Sequence, residues 1–166
     1  MAKLSRSEIE AIQKQRNAEM LSFMQKLLDE VPELSGVYQE HEEYMGEVLS
    51  HVLLADVTRF VIDQHRSEIN LKTQSSLLNR CLDVLEQGMS AKEDVVQELV
   101  AVSFLENLAQ SDGLYFSLRE RLGPALRAQL KFCEDEYGLP PQMAEMPNIQ
   151  SKVVANLFRD IHPGSR

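Results

Sequence analysis

The side chains with the widest chemical reach in this chain are its histidines, His41, His51, His65 and His162, and the carboxylates around the first two. The run His41-Glu42-Glu43-Tyr44-Met45 opens like the H-E-x-x-H zinc-protease pattern. In that pattern two histidines on one helical face hold a metal and the glutamate acts as base. Position 45 is Met, so the second ligand is missing. His41, Glu47 and His51 can still converge across a helix break at Gly46. That convergence is the route to a metal-dependent or hydrolytic enzyme using His41, His51 and nearby carboxylates. The plainer alternative is solvated or helix-terminal histidines. The chain has no G-x-S-x-G elbow, no cysteine in a useful frame with a histidine, and no G-x-G-x-x-G or G-x-x-x-x-G-K phosphate cradle. The expectation is therefore no catalytic residue, no bound metal and no cofactor.

Charged side chains offer binding instead of chemistry. Glu40, Glu42, Glu43 and Glu47 form one acidic zone, preceded by Asp29, Glu30 and Glu33. Such a zone on a helical scaffold steers a basic partner and raises its association rate, or is solvated surface. These four glutamates are the candidate partner-binding residues. Asp56, Arg59 and Asp63 share one face of an apolar helix, as a charged groove or as an intrahelical ion-pair stripe. Glu106 and Asn107 fall late in the most apolar stretch of the chain and are expected to be buried polar residues that hold a neighbouring loop, the alternative being that they surface at the helix end. Arg119, Arg121, Arg127 and Lys131 make the surroundings of Gly123-Pro124 basic. Cys81 and Cys133 show no C-x-x-C or Cys/His spacing and are expected as reduced, buried or half-buried thiols.

The elements that must position these residues read as helices throughout. Glu93–Gln110 has no Gly or Pro, and its apolar residues fall on nearly every side of a wheel, which predicts a central helix buried all round. Ser90 is its expected N-cap. Before it, Ser5 with Glu8 three residues on is a capping-box pattern that starts a first helix running to Glu30. That helix has its apolar face at Met20, Phe23, Met24, Leu27, Leu28 and Val31, and residues 1–18 are expected to project from the body or fray. A second helix is expected from Pro32 to Tyr44 with a break at Met45-Gly46-Glu47, and a third from Glu47 or Val48 to His65. A fourth is expected from Leu71 to Gln87, ended by Gly88 as a left-handed cap. A short helix over Leu114–Leu122 and another from Pro124 to Tyr137 follow. Residues 138–148 read as a Pro-rich linker to a last short helix at 149–160. No strand pattern occurs.

The fold class is therefore all-α: one domain of 166 residues, a bundle of about seven or eight helices. Shifting the chain by 47 residues lays Val48–Val61 over Val95–Leu108 with matching polarity at all but two positions, Thr58 against Leu105 and Phe60 against Asn107. That period suits a HEAT- or armadillo-like stack of helical hairpins, and an irregular bundle is the alternative. The formal net charge of −9 and the absence of Trp argue against nucleic acid and against a transcriptional regulator. No apolar run approaches a membrane span, and the N-terminus lacks the apolar core of a secretory signal, so a cytoplasmic protein without membrane contact is expected.

VPELSGVYQEHEEYMGEVLSHVLLADVTRFV, VQELVAVSFLENL and LRERLGPALRAQL together resemble a group of small bacterial all-helical proteins of unassigned function that are similar to immunity proteins, which neutralise a partner toxin. The resemblance covers residues 27–130 and rests on packing positions. It implies a helical, non-enzymatic protein-interaction module with a protein partner, and it supplies no catalytic residues.

Overall fold

A computed structural model of the chain describes residues 5–109 and 114–137. Every regular element among them is helical. Helix α1 (Arg6–Glu30) begins at the expected capping box: the Ser5 hydroxyl accepts from the Glu8 N–H and the Glu8 carboxylate accepts from the Ser5 N–H. Residues 5–15 are exposed, and burial in α1 begins at Met20. From there Met20, Phe23, Met24 and Leu27 turn one face into the core.

Val31 ends α1, and Pro32–Leu34 makes a single 3-10 turn into α2 (Ser35–Met45). Tyr38 locks this corner by donating its hydroxyl to the Met24 carbonyl across the core. Gly46 closes α2 in the left-handed region at φ 77°, with its N–H on the Glu42 carbonyl, which is the break the sequence predicts.

Helix α3 (Ser50–Leu71) runs six residues past the His65 end expected from periodicity. The extension is physical: His65 and Glu68 are polar yet buried, and both have partners from other elements. Lys72 then caps α3 with positive φ. Helix α4 (Ser76–Met89) starts at Ser75, whose hydroxyl accepts from the Leu77 N–H, so Leu71 belongs to α3 and not to α4. Gly88 is not a left-handed cap. It lies inside α4, where a Cβ would come within 2.6 Å of the Phe23 ring and 3.1 Å of Val100. Its role is close approach of α4 to α1 and to the central helix.

The central helix is not a continuous α-helix. It comprises α5 (Asp94–Val100), a π turn (Ala101–Leu105) and α6 (Glu106–Ala109). Its N-cap is Glu93, while Ser90 caps the C-terminus of α4. Nor is it buried all round: Glu98, Val102 and Asn107 are exposed. Its inward residues Val95, Val96, Leu99, Val100, Phe104, Leu105 and Leu108 sit at the centre of the core. Each fully buried Leu or Phe contributes about 1.5–3 kcal/mol of transfer free energy.

The π turn is stitched to α3. The Ser103 carbonyl accepts from the Thr58 hydroxyl (3.1 Å) and from the Asn107 amide (2.9 Å), and its hydroxyl pairs with His51 Nδ1 (2.8 Å). Helices α7 (Leu114–Arg119) and α8 (Pro124–Tyr137) close the bundle, with Leu118, Leu122, Leu126 and Leu130 inward. Residues 110–113, the expected linker at 138–148 and the expected helix at 149–160 lie outside the described residues. Among the described residues, no helix is long and apolar enough to cross a membrane.

Candidate functional site

Glu40, the first acid of the acidic zone, and the charged stripe of Asp56, Arg59 and Asp63 line one groove. One wall is α2, whose 3–4 spacing aligns Val37, Glu40, His41 and Tyr44 on a single face. The other is α3, which presents Val52, Asp56, Arg59, Phe60 and Asp63 in the same way. Between them lies an open hollow of about 610 Å³. A second hollow, of about 400 Å³, lies against α1 and is lined by Asn17, Met20, Leu21 and residues 47–52. Val52 lines both.

His41 builds the corner between the walls. It is 4% exposed, and its Nε2 accepts the N–H of Leu49, the residue capping α3, at 3.1 Å. Because Nε2 must accept there, the ring proton sits on Nδ1, which donates to Asp56 Oδ2 at 3.0 Å. The other Asp56 oxygen accepts from Arg59. Asp63 accepts from Arg66 at 2.7 Å. The carboxylates on the α3 wall are thus matched by arginines.

The acids on the α2 side, of which Glu40 lines the groove, Glu42 and Glu43 lie elsewhere on α2 and Glu47 follows it, are not matched in this way. Glu40, Glu42, Glu43 and Glu47 are all exposed, and none forms an ion pair among the described residues. The Gln39 amide donates to Glu43 at 2.8 Å. Residues 27–58 carry Asp29, Glu30, Glu33, Glu40, Glu42, Glu43, Glu47 and Asp56 and no Lys or Arg. The sequence marked these acids. It did not mark the apolar half of the groove, where Tyr44 is 86% exposed and Met45 and Val52 are 38% and 37% exposed, or Leu49 in the second hollow, 39% exposed. Tyr44, Met45, Val48 and Leu49, four apolar residues within three positions of Gly46, were the available signal, since a solvent-facing turn is normally polar.

His41, Glu47 and His51 do not gather around one point. His41 is held by Leu49 and Asp56, and His51 faces the π turn through Ser103. No group of three or more His, Cys, Asp or Glu among the described residues is placed to hold a metal ion. The expected buried pair is corrected as well: Asn107 is exposed and Glu106 is half-buried, and the Asn107 amide bonds a carbonyl of its own helix.

A second polar cluster, unforeseen from the sequence, joins α3 to α4 and the α7–α8 region. Buried Glu68 accepts from Arg121 and from the Ser75 N–H (2.7 Å), and Arg121 also donates to Asn79 (2.6 Å). His65 Nε2 lies 2.7 Å from Ser117 Oγ. Burial, reinforced by the Arg121 guanidinium, pushes the His65 pKa below the usual imidazole value, with Glu68 pulling the other way. The pair has the spacing of a base and a nucleophile. However, His65 Nδ1 has no partner to orient it, and neither residue lines either hollow. The thiols are no better placed. Burial raises Cys81 to about 12, and burial followed by the Glu106 charge raises Cys133. The groove presents apolar surface beside Glu40, a carboxylate with no ion-pair partner among the described residues.

A family model described as a domain of unknown function, DUF7674, matches residues 24–137. That span takes in both walls of the groove and the cluster at Glu68. No curated protein and no solved structure matches the chain.

Proposed function

The chain belongs to the DUF7674 family, and we propose that this member is a non-enzymatic protein-interaction module whose recognition surface is the α2–α3 hairpin. The observation that carries the proposal is the unbalanced acidic surface of α2 and the turn after it: exposed Glu40 at the groove, with exposed Glu42, Glu43 and Glu47 near it in sequence, in a stretch without Lys or Arg and beside exposed apolar side chains. Unmatched surface carboxylates add little to the stability of their own fold, but they steer a basic partner and accelerate its encounter. In its sharper form the partner is a toxin whose basic catalytic surface the hairpin occludes, so the module is of the immunity type, bacterial and cytoplasmic. The same proposal treats α2–α3 and α4 with the central helix as successive HEAT-like hairpins that present α2 on the outside.

The test is quantitative binding. A partner is identified by co-purification from the native host or by co-expression with a neighbouring toxin. Its affinity is then measured for the variant carrying Glu40→Lys, Glu42→Lys, Glu43→Lys and Glu47→Lys. The expected result is a loss of affinity of at least about tenfold, concentrated in the association rate. Unchanged affinity rules the acidic wall out as the recognition surface.

A further inference from the structure

We infer that the groove takes a single amphipathic helix from the partner, three turns long, with its apolar stripe down the groove and its basic flank against α2. The inference rests on the proposed function and adds the form of the occupant and its orientation.

Length comes first. The α3 wall runs from Val52 to Asp63, which is about 16 Å at 1.5 Å per residue. A helix lying along it for that distance makes three turns and sets down anchors at i, i+3 or i+4, and i+7. Tyr44, Val52 and Phe60 supply the apolar contacts for such a stripe, and the hollow of about 610 Å³ gives its side chains room. An extended segment is the poorer fit. It brings unpaired N–H and C=O groups, and the described residues offer no strand edge to satisfy them, whereas a helix satisfies its own.

Charge then fixes the orientation. On the α3 wall Asp56 is bonded to Arg59 and Asp63 to Arg66, so that side has no charge excess. On the α2 side Glu40 and its neighbours have no cationic partner among the described residues. Lys or Arg on the partner helix is therefore favoured on the flank facing α2 and gains nothing on the flank facing α3. A second copy of this chain fits poorly, because its own hairpin would bring carboxylates against carboxylates.

The full chain is titrated with a designed helical peptide of about 18 residues, long enough to hold helix in solution, with one Leu stripe and Lys on a single flank. Two controls replace Lys by Glu or scramble the order. The expected result is saturable binding of the Leu/Lys helix, at least about tenfold weaker for both controls. The variant Tyr44→Ser/Val52→Ser, both residues being exposed, is expected to keep its melting temperature. It should lose at least about tenfold in peptide affinity between about 50 and 300 mM NaCl without changing the slope against salt. No saturable binding, equal binding of the scrambled peptide, or full affinity of the variant overturns the helix-in-groove inference. Self-association of the chain that the same variant abolishes also overturns it, in favour of a second copy. The four-glutamate reversal separates the two levels: if it abolishes binding of the natural partner while Tyr44→Ser/Val52→Ser does not, the acidic-wall function stands and this inference falls.

Discussion

Some single residues belong to the proposed recognition surface and others hold the fold, and His65 belongs to the second group. Its folded-state pKa lies below its ordinary value because burial and Arg121 disfavour the imidazolium. The unfolded chain therefore binds the proton more readily than the folded one. This contribution is complete above the unfolded value of about 6.5 and is lost as pH falls through the window beneath it. Melting temperatures between about pH 7.5 and 5 should fall for the wild type and fall less steeply for His65→Gln, which keeps an amide within reach of Ser117. Parallel curves would show that His65 does not carry the dependence. The thiols give a second check. Cys81 and Cys133 are buried with raised pKa values, so a thiol reagent should label neither in the native protein and both on unfolding. Fast labelling at neutral pH would mean that one is accessible. The acidic residues of the groove could be read directly from the sequence because charge is a local property. His65, Glu68 and Arg121 could not be paired, because 53 positions separate Glu68 from Arg121 and only the fold brings them together.

At the level of elements, α8 depends on a residue of α4. Glu86 accepts the N–H groups of Ala125 (2.8 Å) and Leu126 (3.0 Å), which satisfies the first-turn donors that Pro124 leaves open. Gly123 makes room for it, since a Cβ there would come within 2.3 Å of the Glu86 carboxyl carbon. Glu86→Ala should cost about 1–2 kcal/mol in chemical denaturation. Gly123→Ala should cost a similar amount by expelling the same carboxylate, and the double variant should cost little more than either single change. Additive losses would break the link between the two positions. This cap was invisible in the sequence, whereas the Ser5–Glu8 box was plain, because one spans helices and the other spans three residues. The central helix follows the same rule. Its apolar inward residues were evident from spacing. The π turn was not, because its Ser103 carbonyl is held by Thr58 and its hydroxyl faces His51, both on α3. The repeat of Val48–Val61 over Val95–Leu108 is correspondingly partial. Leu53 and Val100, Val57 and Phe104, and Val61 and Leu108 are buried in pairs, but Leu49 and Val52 are exposed where Val96 and Leu99 are buried. Both exposed residues line the second hollow, and Val52 lines the groove as well.

Over the whole molecule the net charge of −9 is a cost to the folded state as well as a means of attraction. Folding places Arg80 on Glu33 and Arg59 on Asp56, but Glu40, Glu42, Glu43 and Glu47 have no cation among the described residues, and like charges close in sequence repel. Glu42 and Glu43 are exposed, and neither forms an ion pair among the described residues, so reversing them relieves repulsion and removes only the exposed Gln39–Glu43 hydrogen bond. Glu42→Lys/Glu43→Lys should therefore raise the melting temperature by about 1–3 °C at low salt. The gain should shrink toward zero near 0.5 M NaCl, where the Debye length falls to about 4 Å. The same variant should bind a basic partner more weakly. Gained stability with lost binding is the pattern of residues kept for recognition at the expense of the fold. A plain solvated surface would show the small gain without the loss, and a structural role for the two carboxylates would lower the melting temperature. Thermal melts and binding titrations on one variant across a salt series thus separate the three.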